Sequence, residues 1–439
     1  MLDLVGPGDE RYALCRSQFI GRPVEVLPRA VAFCADADAV VEALRLARAE
    51  GWPFAIRGGG HSNACHSSTS GLLIDLGVNA GVVADGASVT VGGGVRVGDV
   101  AARLDGRLVP SGSCPSVGLV GAALGGGFGS HGRLHGLTCD ALLSAEVVLA
   151  DGEVVHTDDE PDLLWALRGA GGGNFGVVTR ATFRTFAARE RVHFRLEWPF
   201  GRAADLVRWW QEWAPFAEDA VSAELVLMCP QYPEEEPTVL LIGAAPSVPE
   251  CPVDPAFEEV VTVSAAEAGL LHATPYSAVA EDPASIPLMS ERPGMSTAKT
   301  EFFAEPLPDR AIADLLDHLT AGRAMGELRE VAFTPWGGAY ARTTDTAFVH
   351  RTPTYLVKHT VLVGPGGAAR RSKEVLAWLD RSWGILHPWG TGGVYPNFPD
   401  PDLRDWLTAY YGGHVGRLRA LKRRYDPTNV FNFPQSIPL

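Results

Sequence analysis

Hydrophobic residues recur at two different spacings along the 439-residue chain. Between residues 36 and 50, apolar side chains fall at helical spacing behind an aspartate that can cap the first turn, which predicts an amphipathic helix. Short apolar runs between turn residues predict strands instead. In the amino-terminal part of the chain, these runs cover residues 24–27, 30–33, 54–56 and 72–74.

Two alternating stretches predict β-hairpins, over residues 82–91 and 142–156, because each has an Asp-Gly turn signal at its centre. Further strands are predicted at residues 223–228, 238–242, 330–333 and 355–363. Further helices are predicted at residues 97–104, 162–167, 202–216, 309–319 and 368–383. In the helix over 202–216, core packing is predicted for the apolar face, which consists of Leu206, Trp209, Trp210 and Trp213.

The glycine content changes along the chain and divides it into two parts. Glycine is dense in the first part and thins out after residue 192, where tryptophans and longer helices appear. Strands and helices without phosphate-type glycine turns predict an antiparallel sheet backed by helices for the second part. With 46% hydrophobic and 20% charged residues, the chain fits a large globular protein of two domains, or of one domain with a large insertion.

Charge and cysteine usage exclude several classes of protein. A formal net charge of −15 argues against nucleic acid or an anionic membrane as a partner. No apolar run reaches membrane-spanning length, and the amino terminus lacks the charged start and apolar core of a secretory signal. The seven cysteines contain no C-x-x-C pair, and the histidines lack metal-ligand spacing. We therefore expect a cytoplasmic protein without a disulfide framework or a bound metal.

The stretch from residue 53 to residue 76 is the first candidate for chemistry. An apolar strand leads into Arg57, three glycines and His61, and a polar loop leads to a second strand. Successive N–H groups in such a turn form a concavity that suits a pyrophosphate, and Arg57 can add a positive charge. A tight turn with an ordinary polar His61 is the alternative. The dinucleotide motif G-x-G-x-x-G does not fit, because it has to open a helix.

A second glycine-rich stretch lies between residues 109 and 140. Its composition predicts neither a stable helix nor a sheet, but a backbone laid along an extended ligand. Cys114 lies in this stretch, before Pro115. It is either a buried and inert cysteine, which is usual for this residue type, or a residue that contacts the ligand. The nucleophile motif G-x-S-x-G does not fit, because Ser116 and Ser130 each lack the first glycine.

Five motifs in a fixed order resemble one family of flavoproteins. The matching residues are Arg57-Gly58-Gly59-Gly60-His61-Ser62, Gly112-x-Cys114-Pro115-x-Val117-Gly118, Gly125-Gly126-Gly127-x-Gly129, Gly136-Leu137 with Asp140, and Gly171-Gly172-Gly173-Asn174-Phe175-Gly176-Val177-Val178. They resemble the FAD-binding domain of the vanillyl-alcohol-oxidase (PCMH) type, and within it the berberine bridge enzyme-like branch. The terminal segment of that branch is similar to the runs Tyr395-x-Asn397-Phe398-x-Asp400 and Tyr425-Asp426-Pro427-x-Asn429.

The resemblance implies an α+β fold in three parts. Residues 1–188 are expected to form a PCMH-type FAD-binding domain of two α/β subdomains. Residues 189–394 are expected to form a substrate domain whose antiparallel sheet, backed by helices, covers the flavin. Residues 395–439 are expected to return to the FAD-binding domain. The run from Trp336 to Arg351 also resembles the family, and its side chains are expected to face the substrate.

The resemblance further implies an FAD that is attached through two covalent bonds. His61 would bond to the 8α-methyl group of the flavin, and Cys114 would bond to its carbon 6. Val117 resembles the members that accept O2, while Ala122 stands where some oxidases carry glycine. The other residues expected to bind the cofactor are Arg57, Gly58, Gly59, Gly60, Ser62, Gly118, Gly121, Gly126, Gly127, Gly129, Gly136, Leu137, Gly176, Val178 and Asn397.

Tyr395 is the expected catalytic residue, because the resemblance places it at the flavin ring. It would take the hydroxyl proton of the substrate as hydride leaves for the flavin. An unperturbed tyrosine has a pKa of about 10 and is a poor base at neutral pH, so a hydrogen-bond donor or a cation is needed nearby. The alternative is that Tyr395 packs on the flavin while Asn397 forms a hydrogen bond to it.

We therefore predict an FAD-dependent oxidase that acts on a hydroxyl of a sugar, an oligosaccharide or a glycosylated metabolite. Its products would be a lactone or ketone and hydrogen peroxide, and its partners would be this small substrate and O2. Three alternatives stay open. They are a dehydrogenase with another electron acceptor, an oxidative cyclase or desaturase of secondary metabolism with a non-sugar substrate, and a flavin-carrying protein without a net redox role.

Overall fold

The computed structural model describes residues 2–18, 26–265, 294–342, 345–364 and 368–439, with the side chains of residues 368–371 outside that description. The described residues form four sheets and the helices that pack on them. The predicted α+β class is therefore confirmed. No helix in the described ranges combines the length and the apolar content that a membrane span requires.

The first sheet consists of β1 (Asp3–Val5), β2 (Ala30–Phe33), β3 (Phe54–Arg57) and β4 (Leu72–Asp75). Its order is β1-β2-β4-β3, and both β2 and β3 run parallel to β4. The helices in this part of the chain are α1 (Tyr12–Cys15) and α2 (Ala37–Glu50). Asp36 caps α2, because its side chain accepts a hydrogen bond from the backbone N–H of Ala39 at 2.9 Å. The helix predicted here is confirmed.

The second sheet consists of β5 (Val82–Asp85), β6 (Ser88–Gly92), β8 (Leu142–Val148), β9 (Val154–His156) and β10 (Val177–Arg184). It is antiparallel and has the order β5-β6-β10-β8-β9, so both predicted hairpins are present. A separate pair is formed by β7 (Arg107–Leu108) and β11 (Phe186–Ala187). The helices between these strands are α3 (Val97–Ala101), α4 (Leu119–Leu124), α5 (Gly132–His135), α6 (Thr138–Ala141) and α7 (Pro161–Ala170).

One prediction of local structure is wrong, and a second lies partly outside the described residues. The glycine-rich stretch over 109–140 contains α4, α5 and α6, although its composition disfavours helices. Helix α4 forms because Leu119, Val120 and Ala123 are buried in the core, and this burial outweighs a cost of about 1 kcal/mol for a glycine in a helix. Of the strand predicted over 24–27, the last two residues have no strand pairing, and the first two lie outside the described residues.

The large sheet consists of β12 (Arg191–Pro199), β13 (Ser222–Cys229), β14 (Thr238–Ala245), β15 (Phe257–Val263), β16 (Met295–Phe303), β17 (Glu327–Pro335) and β18 (Tyr355–Val363). It is antiparallel and has the order β15-β12-β14-β13-β17-β18-β16. The helices that accompany it are α8 (Ala203–Trp213), α9 (Asp309–Thr320) and α10 (Ala368–Leu386). Leu206 and Trp210 of α8 are buried as predicted, whereas Trp209 and Trp213 are partly buried and stack on each other.

The carboxy-terminal segment contains α11 (Trp406–Tyr411) and α12 (Val415–Tyr425). Tyr410, Leu418 and Tyr425 share one apolar core with residues of the second sheet. The segment therefore packs on the amino-terminal half of the chain. The domain boundaries after residues 188 and 394 stay predictions.

A fully buried ion pair holds this segment in place. Nζ of Lys422 lies 2.7 Å from Oδ2 of Asp426 and also donates to the carbonyl oxygens of Asn174 and Phe431. The Asp426 carboxylate accepts further hydrogen bonds from the backbone N–H groups of Val430 and Phe431. Burial lowers the pKa of the Lys422 ammonium, although Asp426 favours its charged form. Because Asn174 precedes β10, the pair ties the end of the chain to the second sheet.

Replacing Lys422 by methionine is expected to lower the free energy of unfolding by about 3–5 kcal/mol, because Asp426 would keep a buried charge without its partner. The measurement is urea unfolding followed by tryptophan fluorescence. Arg423→Met is the control, since Arg423 is exposed on the same helix and is expected to change stability by no more than about 0.5 kcal/mol. Equal stability of Lys422→Met and the wild type would contradict this role of the buried pair.

Candidate active site

The two glycine-rich loops found in the sequence lie against each other. The first loop leaves β3 at Gly58, and the second leads into α4 at Gly118. A Cβ atom added to Gly59 would overlap the backbone of Gly118, and one added to Gly118 would overlap that of Gly59. Gly60 also has a left-handed backbone, with φ of 71°. Glycine is required here because the two backbones touch.

This contact places His61 and Cys114 on either side of one serine. Oγ of Ser116 lies 3.0 Å from Nε2 of His61 and 3.3 Å from Sγ of Cys114. Ser116 is buried, while His61 and Cys114 are half-buried and can meet a ligand. From the sequence, Ser116 was considered only as a nucleophile, and the missing first glycine of the G-x-S-x-G motif excluded that role. Its position between the two predicted attachment residues comes from loop packing, for which the sequence has no signal.

Arg57 is buried and holds the amino-terminal segment. Its Nη1 donates to the carbonyl oxygens of Cys15 at 2.7 Å and Ser17 at 2.8 Å, and its Nε donates to that of Ser67 at 3.1 Å. Asp75, at the end of β4, lies 4.0 Å from the same guanidinium. Arg57 therefore anchors the amino-terminal segment through carbonyl groups of the protein, and its role towards a pyrophosphate stays a prediction.

Tyr395 is buried where the glycine run over 125–129 meets the large sheet. Its Oη accepts a hydrogen bond from the backbone N–H of Gly127 at 2.7 Å and another from Nδ2 of Asn397 at 3.1 Å. Nδ2 of Asn397 also donates to the carbonyl oxygen of Ala122 at 2.7 Å. Gly127 has a φ of 82°, which glycine adopts without strain and which aims its N–H at the tyrosine. These groups are the donors that the sequence could not identify.

Burial and hydrogen bonding change the pKa of the Tyr395 hydroxyl in opposite directions. Burial raises its pKa far above the usual value, and the hydrogen bonds from Asn397 and Gly127 lower the pKa by less. The side chain is therefore protonated at neutral pH. A phenol oxygen offers two acceptor positions and one O–H, and both acceptor positions are used here. The O–H is the part of the group that remains to interact with a ligand.

Aromatic rings from distant parts of the chain surround Tyr395. The ring centroids of Phe128, Phe398 and Phe348 lie 5.1, 5.3 and 6.0 Å from that of Tyr395, in edge-on geometry. Apolar rings keep water away from the hydroxyl and so strengthen the two hydrogen bonds that it accepts. These three rings, called the aromatic wall below, therefore surround the polar hydroxyl of Tyr395.

Tyr340 and Arg351, two members of the run from Trp336 to Arg351, lie at the same junction. Oη of Tyr340 donates to the carbonyl oxygen of Gly129 at 3.1 Å. Arg351 forms a two-pronged ion pair with Asp140, with N–O distances of 2.8 and 2.7 Å. Both side chains are buried against the glycine-rich loops. They hold the large sheet on those loops, so these two members of the run contact protein groups instead of an open substrate space.

The remaining predicted cofactor residues near Tyr395 support its surroundings. Leu137 belongs to the same apolar cluster as Tyr395. A Cβ atom added to Gly126 would lie 3.1 Å from the Tyr395 ring, so the glycine backbone reaches the aromatic wall. Gly136 has a φ of 99° and turns the chain into Leu137.

Other predicted residues lie closer to the first loop. Gly58 and Val178 both lie against Gly93, close enough that an added Cβ atom would meet the neighbouring backbone. Gly176 packs on β8, and Oγ of Ser62 accepts a hydrogen bond from the backbone N–H of His66 at 3.0 Å. Two further positions lie on the second loop and α4, where Val117 is half-buried and Gly121 is exposed.

These features suit an extended flavin cofactor better than a metal. Three features lie in one region of the molecule. They are two touching glycine loops, a histidine and a cysteine beside one serine, and a tyrosine within an aromatic wall. Within the described residues, no group of three or more His, Cys, Asp or Glu side chains is arranged to hold a metal ion. Together with the five sequence motifs, the two loops and Tyr395 indicate a flavin-dependent oxidoreductase.

Comparison with known proteins agrees with this class. Residues 28–158 match the family model of an FAD-binding domain, and residues 394–438 match the family described as berberine and berberine-like. An FAD-linked oxidoreductase of Bacillus subtilis, YgaK, is 31% identical over 99% of this chain and 96% of its own length. The chain therefore belongs to the berberine bridge enzyme-like FAD-linked oxidoreductases and binds FAD. The predicted family is confirmed.

Two further relatives show how far the similarity extends. The chitooligosaccharide oxidase of Gibberella zeae is 29% identical over 93% of this chain and 87% of its own length. The structure of Physcomitrella patens BBE-like 1 superposes with a TM-score of 0.88 at 26% identity, covering 100% of this chain and 97% of that one. The likeness therefore includes the large sheet as well as the glycine-rich loops.

Proposed function

We propose that this enzyme is an oxidase for a hydroxyl group of a sugar, an oligosaccharide or a glycosylated metabolite, with O2 as the electron acceptor and hydrogen peroxide as a product. The observation that carries the proposal is the Tyr395 hydroxyl, held by Gly127 and Asn397 inside an aromatic wall between the two halves. Similarity to the chitooligosaccharide oxidase supports the choice of substrate class.

Bound FAD supplies the hydride acceptor of this reaction, and the protein supplies position and proton transfer. Tyr395 orients the reacting hydroxyl, and its ionised form takes the hydroxyl proton. The donors Gly127 and Asn397 favour that form, because hydrogen bonds to a phenolate stabilise its charge. The surrounding rings limit the access of water to the hydroxyl and so strengthen the hydrogen bonds that hold it.

We also propose that His61 and Cys114 hold the cofactor covalently, through the 8α-methyl group and carbon 6 of the flavin. The support is the position of Ser116, which contacts both side chains and so restricts them to one small region. Two attachment points would keep the cofactor in place while the cleft is open to a bulky substrate. They are also expected to raise the flavin's potential, which favours the oxidation of poorly activated alcohols.

Peroxide release under air tests the proposed reaction. The wild-type enzyme is expected to release about one hydrogen peroxide for each sugar hydroxyl that it oxidises, because two electrons pass from each substrate molecule to O2. The measurement is a peroxidase-coupled assay with mono- and disaccharides, and with aromatic alcohols as the comparison set. Reduction of an artificial dye by sugars without peroxide would indicate a dehydrogenase. Turnover of the aromatic alcohols alone would contradict the proposed substrate class.

A further inference from the structure

The face of the large sheet that is turned away from its helices points at Tyr395. Phe302 on β16 and Leu356 on β18 belong to the apolar cluster of Tyr395, and Oγ1 of Thr300 accepts a hydrogen bond from the backbone N–H of Tyr395. Because side chains alternate along a strand, every second residue of β13, β17 and β18 lies on this face. The charged residues among them are Glu224, Glu330 and Lys358.

These three charged side chains surround one small residue, Ala332. Nζ of Lys358 lies 3.3 Å from Oε1 of Glu330 and 5.6 Å from the ring centroid of Phe398, a member of the aromatic wall. Glu224 stands on the other side of Ala332, on β13, close enough for the charge of Lys358 to act on its carboxyl group. The cluster is therefore adjacent to the proposed reaction site.

All three groups are partly withdrawn from water and still accessible. The side chains of Lys358 and Glu330 are 26% and 12% exposed. Burial raises the pKa of Glu224, and Lys358 lowers it by less. Burial lowers the pKa of Lys358, but the charges of Glu330 and Glu224 outweigh that effect and raise it overall. Charged groups in such a place are costly unless they have partners, so a cluster next to the proposed reaction site is suited to a polar ligand.

Partly exposed apolar side chains lie beside the charged groups. Met228 on β13 and Ile242 on β14 pack against Val226, Leu240 and Ala332, which are themselves buried. Met228 lies opposite Glu330 in the sheet, and Ile242 lies opposite Glu224. A sugar ring has the matching properties, because its C–H face is apolar and its hydroxyl groups both donate and accept hydrogen bonds.

We propose that Glu224, Glu330 and Lys358 form a subsite that binds a second, neutral sugar ring next to the ring that is oxidised. The inference rests on the proposed function, because it needs the reacting hydroxyl at Tyr395. The two carboxylates accept hydrogen bonds from ring hydroxyls, and the Lys358 ammonium donates to them. A simple aromatic alcohol has too few hydroxyl groups to satisfy three charged partners.

The test is anaerobic calorimetric titration of the holoenzyme with cellobiose, lactose and diacetylchitobiose, together with the corresponding monosaccharides, while flavin absorbance reports reduction. Lys358→Met and Glu224→Gln keep the size of each side chain and remove its charge. Each is expected to weaken binding of the preferred disaccharide about tenfold or more, as loss of a charge-assisted hydrogen bond does. Binding of the monosaccharide is expected to change by less than about threefold.

Lys373→Met and Glu374→Gln are the matched controls, since both residues are exposed on α10. Disaccharide binding that is unaltered in both cleft variants, with reduction of the wild-type flavin, would overturn the subsite and leave the proposed function standing. Wild-type binding that depends on Lys358 and Glu224 but produces no reduction would support the subsite and refute sugar oxidation. A wild-type enzyme that neither binds nor is reduced by any of the sugars would overturn both.

Discussion

Acid precipitation of a His61→Ala/Cys114→Ala double variant is expected to give a colourless pellet and a yellow supernatant, while the wild-type pellet stays yellow. The reason is that acid unfolds the protein and releases any cofactor held by non-covalent contacts alone. Each single variant is expected to keep its flavin in the pellet, because one covalent bond is sufficient. Absorbance of the two fractions, and the mass of the intact wild-type protein, provide the measurement.

The control for this experiment removes the same residue types elsewhere. His156→Ala/Cys251→Ala is suitable, because His156 is exposed on β9 and Cys251 is a half-buried residue between β14 and β15. Its pellet is expected to stay yellow. Flavin that remains in the pellet of the His61/Cys114 double variant would show that the attachment sites lie elsewhere.

Tyr395→Phe is expected to retain FAD and to lose turnover by about 10²–10⁴-fold, which is the usual contribution of a positioned general base. The substitution removes only the oxygen atom, so the aromatic wall around the ring is preserved. Turnover is measured with a sugar that reduces the wild-type enzyme, and the flavin content is measured by absorbance. Tyr425→Phe is the matched control, since its hydroxyl binds Glu160 away from the cleft.

The dependence of turnover on pH separates a base from a packing residue. Because burial raises the pKa of Tyr395, the ionised fraction is small at neutral pH and increases as the pH rises. In the wild type, kcat/KM is therefore expected to increase with pH towards the alkaline range. Tyr395→Phe is expected to lose this increase. Unchanged turnover and an unchanged pH profile in the phenylalanine variant would exclude Tyr395 as the base.

Local sequence patterns were sufficient where an element has one clearly apolar face or a strong turn signal. The helix over residues 37–50 has its capping aspartate one residue earlier, and the strand predicted over residues 355–363 has the same bounds in the structure. The same logic failed for α4, which contains a glycine and forms because Leu119 and Val120 are buried. Burial is a property of the assembled molecule, so composition alone could not reveal it.

Sequence motifs identified some residues of the site, and only the packing of the chain revealed the others. His61, Cys114 and Tyr395 stand in motifs whose order indicates a flavoprotein, and their roles stay predictions. Gly127 donates to Tyr395 across 268 residues of sequence, and Ser116 joins two loops 55 residues apart. Because side chains alternate along a strand, the sequence of β18 could have placed Lys358 on the face of the sheet that is turned away from the core. It could not have shown that Glu224 would stand nearby.

The sequence by itself determined the class of this protein, because a fixed order of glycine runs around a histidine and a cysteine indicates an FAD-binding fold. It also determined which half carries the large antiparallel sheet. Only the tertiary structure decided which carbonyl groups Arg57 binds, which donors reach Tyr395, and which charged side chains stand together near it. The physical reason is that a hydrogen bond or an ion pair depends on distances of a few ångströms between atoms. For residues far apart in the chain, those distances exist only after the sheets and loops have packed.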